Sequence, residues 1–141
     1  MDIGMIGAPA ALAFSAIGPV LGSGTAGMAA IGAWKRCYVQ NRVAPFLLVA
    51  FVGAPLSQTI YGMILMNAIK GSHADPMLRL GAGVIGGIAI GYSAWYQGKC
   101  GASGSDALAE TGKGFANYIM VLGIAETVAL FVLVFLLMVL G

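Results

Sequence analysis

Charge is what this sequence most lacks: its 141 residues hold seven Lys or Arg, five Asp or Glu and a single His. At 9% charged and 60% hydrophobic it departs from a water-soluble domain, in which about 25% of residues are charged. So few basic residues exclude a nucleic-acid surface. Cysteine is nearly absent, and Cys37 and Cys100 stand 63 residues apart without CxxC or Cys/His spacing. They read as free thiols in a reducing compartment rather than a disulfide or metal pair. His73, alone in the loop Gly71–Asp75, lacks metal partners and is expected to be solvated. The glycines of Gly22-Ser-Gly24-Thr-Ala-Gly27 mimic a phosphate loop, but neither the lysine nor the strand context follows. Nor is a cleavable signal expected in the first apolar segment, which follows Asp2 rather than a positive region and runs too long.

Long apolar runs are what the sequence has instead. Four segments stand out, at 6–33, 44–69, 77–98 and 115–140, separated by polar breaks at 35–43, 70–79 and 98–114. Each reaches the roughly 20 residues that a transmembrane helix needs, and an apolar run of this kind satisfies its backbone in lipid only as a helix. The expected fold is an all-α membrane protein with four transmembrane helices. The first break carries Lys35, Arg36 and Arg42, the third Lys99 and Lys113, and the second Lys70 and Arg79. The positive-inside bias therefore puts the first and third loops in the cytoplasm and both termini outside. Trp34, Tyr38 and Phe115 suit the interfacial aromatic belt. Tyr92, Trp95 and Tyr96 lie deeper, against lipid or a neighbouring copy.

Small residues recur at spacing four in Gly18, Gly22, Ala26 and Ala30, and again in Gly83, Gly87 and Gly91. Such stripes let membrane helices approach closely, so an inner pair, helices one and three, is expected, backed by helices two and four. A shift of 68 residues lays Gln58-Thr59 on Glu126-Thr127 and Gly18 on Gly86. The chain thus reads as two duplicated helical hairpins, 1–72 and 73–141, with Gln58 in the first where Glu126 stands in the second.

Glu126 is the one carboxylate inside the run 115–140. An acid at bilayer depth costs roughly 2.5 to 3.5 kcal/mol on insertion scales, and so marks a functional site by default. Ala54, Ser57, Gln58 and Tyr61 share one helical face, and Pro55, having no N–H, distorts the turn beside them. Gln97 and Glu126 are 29 residues apart, with their midpoint in the turn Glu110–Gly114. Each therefore sits about 21 Å from that turn, at one depth, which requires helix three to continue toward Ala109 while Lys99 snorkels outward. One carboxylate among neutral oxygens suits a hard monovalent cation. Burial disfavours the charged form, so the same acid could hold a proton instead.

With Pro55-x-Ser57-Gln58-x-x-Tyr61-Gly62, Gln97-Gly98-Lys99 and a lone Glu126 in the fourth helix, the whole chain resembles the membrane-rotor proteolipids of V-type and A/V-type ATPases, called subunit K in bacteria. The resemblance implies a homo-oligomeric ring in a prokaryotic inner membrane, turned by a cytoplasmic ATPase head, with no ATP site on this chain. It also implies a stator subunit with an arginine, and a central stalk touching loops 34–43 and 109–114. Asp106 and Glu110 then read as a solvated face or as part of that contact. In the sodium-type branch, Na+ would be held by Glu126, Gln97, Gln58, Ser57 and the Ala54 carbonyl, with Tyr61 hydrogen-bonding the acid; H+ is the other cargo. Ser57 and Ala54 stand where the sodium-type pattern has threonine and leucine; the first change keeps the hydroxyl and the second keeps the carbonyl. The alternative function is a small four-helix exporter that exchanges protons for a cationic drug through Glu126.

Overall fold

Caps and prolines set the helix boundaries. The computed structural model describes residues 2–141, and those residues are all-helical apart from short connections. A 3-10 turn, Ile3–Ile6, leads into α1 (Gly7–Val39). After a loop come α2 (Leu48–Gly53), a 3-10 turn Ala54–Leu56 and α3 (Ser57–Gly71), together one membrane-length span with a jog at Pro55. The distortion expected at that proline is thus a switch of helix type that divides the second helix. Helix α4 (Pro76–Thr111) starts at Asp75, whose carboxylate accepts from the amides of Met77 and Leu78, with Pro76 in the first turn. It stops at Gly112, left-handed at φ 67°, before α5 (Phe115–Leu140).

Four spans, Ile3–Val39, Leu48–Gly71, Pro76–Thr111 and Phe115–Leu140, are long and apolar enough to cross a membrane. The outer two of the expected polar breaks are largely helix: α1 carries Trp34, Lys35 and Arg36, and α4 runs through 98–111. At 33 and 36 residues, α1 and α4 measure about 50 and 54 Å, well beyond the hydrocarbon core of about 30 Å. The loops at this end are accordingly 40–47 and 112–114, shorter than the 34–43 and 109–114 read from composition.

Helices α1 and α4 run parallel in closest contact. Gly7 lies on Gly83, Gly18 on Gly91, and Gly22 on Ala94 and Gly98, so close that a Cβ at Gly18 or Gly98 would collide with the facing backbone. Of the stripe residues, Gly87 faces no glycine but the Ala10 and Ala11 carbonyls of α1. Helices α3 and α5 are parallel too, joined at Ser57–Glu126 and at Ser72–Leu140. Two apolar clusters fill the interior. One, around Leu65, Ile69, Ile90 and Leu133, lies toward the termini; the other, around Phe51, Leu48, Leu108 and Leu122, lies toward the 40–47 and 112–114 loops. Phe115 packs in the second cluster, its ring centroid 5.5 Å from Phe51, rather than facing an interface.

Polar ties close both ends. Arg36 pairs with Asp106 at 2.6 Å, so Asp106 is not merely a solvated face, and Arg42 donates to the carbonyls of Ala109 and Glu110 at the α4 terminus. At the opposite end Arg79, buried in the first turn of α4, pairs with Asp2 at 2.5 Å. Hydrogen bonding to Arg79 outweighs desolvation and holds the Asp2 carboxyl below its ordinary value of 3.8. Because the folded value is depressed, this pair's contribution is present above pH 3.8 and lost as pH falls through the lower folded value. Hydrogen exchange at the Gly4 amide, which donates to Asp2, should therefore accelerate on acidification through that range, beyond the intrinsic change. Asp2→Asn should abolish the pH dependence; an unchanged pH profile would remove the pair from the account.

Lys99 departs from the expected direction. Its ammonium does not reach outward but lies over the rings of Trp95, 4.1 Å from the centroid, and Tyr96, 4.7 Å away. Helical side chains lean toward the helix N-terminus, and cation–π attraction to the preceding turn holds it there.

Candidate ion-binding site

The site forms where the apolar clusters leave a polar layer between them. Helix α3 begins at Ser57, immediately after the 3-10 turn, and its first two turns present Ser57, Gln58 and Tyr61. Helix α4 brings Gln97, fully buried, and α5 brings Glu126, half-buried. Glu126 Oε1 accepts from the Ser57 and Tyr61 hydroxyls, each at 2.6 Å, and its Oε2 accepts from Gln97 Nε2 at 3.1 Å. Gln58 Nε2 donates to Gln97 Oε1 at 2.9 Å.

Five of the residues named from sequence are thereby joined in one hydrogen-bonded cluster, but not with equal parts. Tyr61 and Ser57 touch the acid directly; Gln58, wholly buried, reaches it through Gln97. The Ala54 carbonyl lies 3.2 Å from Ser57 Oγ, inside the 3-10 turn that Pro55 imposes. Ser57 Oγ is the crowded point. Besides Glu126 Oε1, it has Gln58 Oε1 at 3.0 Å and the Ala54 carbonyl at 3.2 Å. A hydroxyl has one proton, so only one of these three oxygen neighbours can receive it. The remaining oxygens converge without a hydrogen between them, an arrangement that a cation would relieve.

Sequence reading passed over two groups. Ser93 Oγ donates to the Ala125 carbonyl at 2.7 Å, and Gln97 Nε2 also reaches the Leu122 carbonyl at 3.1 Å. Ser93 stands one helical turn before Gln97 and shares its face, which is the signal that could have found it. The glycines Gly18, Gly22, Gly83, Gly87 and Gly91 contribute no ligand; they set the approach of α1 to α4 and so the position of Gln97.

Residues 80–139 match the family model of the ATP synthase C subunit. The 16 kDa proteolipids of the rat and mouse V-type proton ATPases are each 29% identical over 143 residues, covering 93% of this chain and 86% of theirs. The human 16 kDa proteolipid is 29% identical over 142 residues, covering 92% of this chain and 85% of its own. Both comparisons support the rotor-proteolipid resemblance read from the motifs and favour it over an exporter. Neither reaches as far as a sodium-type branch or bacterial subunit K.

Proposed function

We propose that this multi-pass membrane protein is an ion-carrying proteolipid of a rotary ATPase ring, with Glu126 as the carrier group. The observation that carries the reading is Glu126 itself, held between apolar clusters by Ser57, Tyr61 and Gln97. Loaded, the carboxylate is neutralised and can face lipid; empty, it is an anion that lipid disfavours. Unit charges attract by about 4 kcal/mol at 4 Å and an effective dielectric of 20. A stator arginine could therefore hold the empty acid while ions exchange. The chain would work as identical copies in a ring, driven through a stalk against the 40–47 and 112–114 loops, in a prokaryotic inner membrane. Those loops would be cytoplasmic and both termini external. The two hairpins, 1–72 and 73–141, would be duplicates of which only the second kept its acid.

For the cargo we infer Na+. The oxygens of Ser57, Gln58, Ala54 and Glu126 converge, and neutral oxygens plus one carboxylate suit a hard monovalent cation. The proton is the second reading, favoured by the relatives' description as parts of proton ATPases. Labelling of the assembled ring with a carboxyl-reactive carbodiimide separates them. Modification should fall on Glu126 and slow as Na+ rises at constant, near-neutral pH. Labelling indifferent to Na+ but declining with rising pH would select the proton, and labelling that spares Glu126 under every condition would overturn the carrier assignment.

A further inference from the structure

Helix α5 is poorly held where it matters most. Only Leu122, Ala129, Leu133 and Leu140 of its 26 residues are buried. The first two flank Glu126, and no residue between them is fully buried. Glu126 must nevertheless bring one oxygen within 2.6 Å of two hydroxyls on α3. Nor is this stretch an inherently stiff one. Gly123 lacks a side chain and has nothing within 4 Å of where a Cβ would stand. Thr127 bonds back to the Gly123 carbonyl at 2.8 Å, a contact that loosens or bends helices. Something outside α5 must fix its setting here. Two side chains of α4 reach its backbone: Gln97 at Leu122, and Ser93 at Ala125, the peptide immediately before Glu126. Gln97 is already committed to the carboxylate and to Gln58. Ser93 is 8% exposed, and its hydroxyl makes no other hydrogen bond among the described residues.

We propose that Ser93 is a positioning residue, a latch whose hydroxyl pins the α5 backbone at Ala125 and so sets the distance between Glu126 and the α3 hydroxyls. The inference rests on Glu126 being the carrier site and adds a residue that touches neither ion nor carboxylate. Four side chains thus divide the work. Ser57 and Tyr61 grip the carboxylate, Gln97 grips both carboxylate and backbone, and Ser93 grips backbone alone. Without Ser93, α5 can turn about its axis at the point of least packing, and the carboxylate leaves its donors.

The test compares Ser93→Ala and Ser93→Thr with the wild-type ring, in carbodiimide labelling of Glu126 titrated separately with sodium chloride and with pH. Ser93→Ala should raise the half-protecting Na+ concentration about fivefold, the size of one net hydrogen bond. Ser93→Thr, which keeps the hydroxyl, should stay within about twofold of wild type, inside the spread of such contributions. Should Na+ fail to protect even the wild-type ring, the sodium reading falls and the pH titration decides: a shifted midpoint in Ser93→Ala alone then supports the latch. Midpoints of Ser93→Ala equal to wild type in both titrations overturn it, even if the variant melts at lower temperature. Equal shifts in Ser93→Ala and Ser93→Thr also overturn it, because they would trace to packing.

Discussion

A ring carrying Glu126→Gln should assemble and be unable to move ions. Glutamine preserves the size of the side chain and an oxygen that can accept from Ser57 and Tyr61, the two shortest contacts of the acid. What it loses is the charge. An attraction of about 4 kcal/mol at contact distance corresponds to roughly a thousandfold in cation affinity. Against this, the local cost is small: an amide NH2 now faces Gln97 Nε2, where a carboxylate oxygen had accepted, and one such mismatch costs on the order of 1 to 3 kcal/mol. Radiolabelled Na+ binding to the purified ring, uptake by vesicles containing the complete ATPase, and native mass spectrometry of the ring together separate the two effects. Intact rings without binding or uptake are the expected result. Uptake at the wild-type rate would remove Glu126 from the mechanism whichever ion is carried. The exporter reading shares the loss of transport but not the large closed ring.

The number and order of spans were legible in the sequence because hydropathy reports directly what a bilayer demands. The helix ends were not. Lys35, Arg36 and Asp106 look like loop residues by composition, yet they sit on helices that leave the membrane, and Arg36 pairs with Asp106 across them. Outside lipid the stopping signal is local, and at the end of α4 it is Gly112, the left-handed residue. Helical geometry also made much of the site legible. Phase grouped Ser57, Gln58 and Tyr61, and distance from the turn matched Gln97 to Glu126, because rise per residue is nearly constant. What escaped was orientation and bonding order. Nothing in periodicity tells that Gln58 makes no direct bond to the acid and reaches it through Gln97 and Ser57, or that Lys99 folds back over Trp95. Ser93 escaped because a serine on a glycine-rich helix reads as one more small packing residue.

The largest stability effect should come from adding a single carbon at Gly18. The Gly91 carbonyl, its carbon and its Cα all occupy the space that a Gly18 Cβ would need. These are backbone atoms, which no change of rotamer can move. Overpacking costs about 1 to 3 kcal/mol where side chains can yield; where α1 and α4 must separate, the cost should reach or exceed about 3 kcal/mol. Gly24→Ala and Gly32→Ala supply the contrast, because nothing among the described residues stands within 4 Å of their Cβ positions. There the substitution should be neutral, or stabilising by up to about 1 kcal/mol through helix propensity. Thermal unfolding of the detergent-solubilised chain, followed by helical circular dichroism, ranks the three variants. Gly18→Ala melting alongside Gly24→Ala would show that the close approach of α1 and α4 is not a constraint. Gly91→Ala should be costly as well, its Cβ colliding with the Phe14 carbonyl. The pair should then cost less than the sum, since helices moved apart by one substitution have already made room for the other. The consequence reaches the site, because Gly91 and Gln97 lie on the same helix. A displaced α4 draws Gln97 away from Glu126, so Gly18→Ala should alter carbodiimide labelling of an acid in another helix that the substituted residue does not touch.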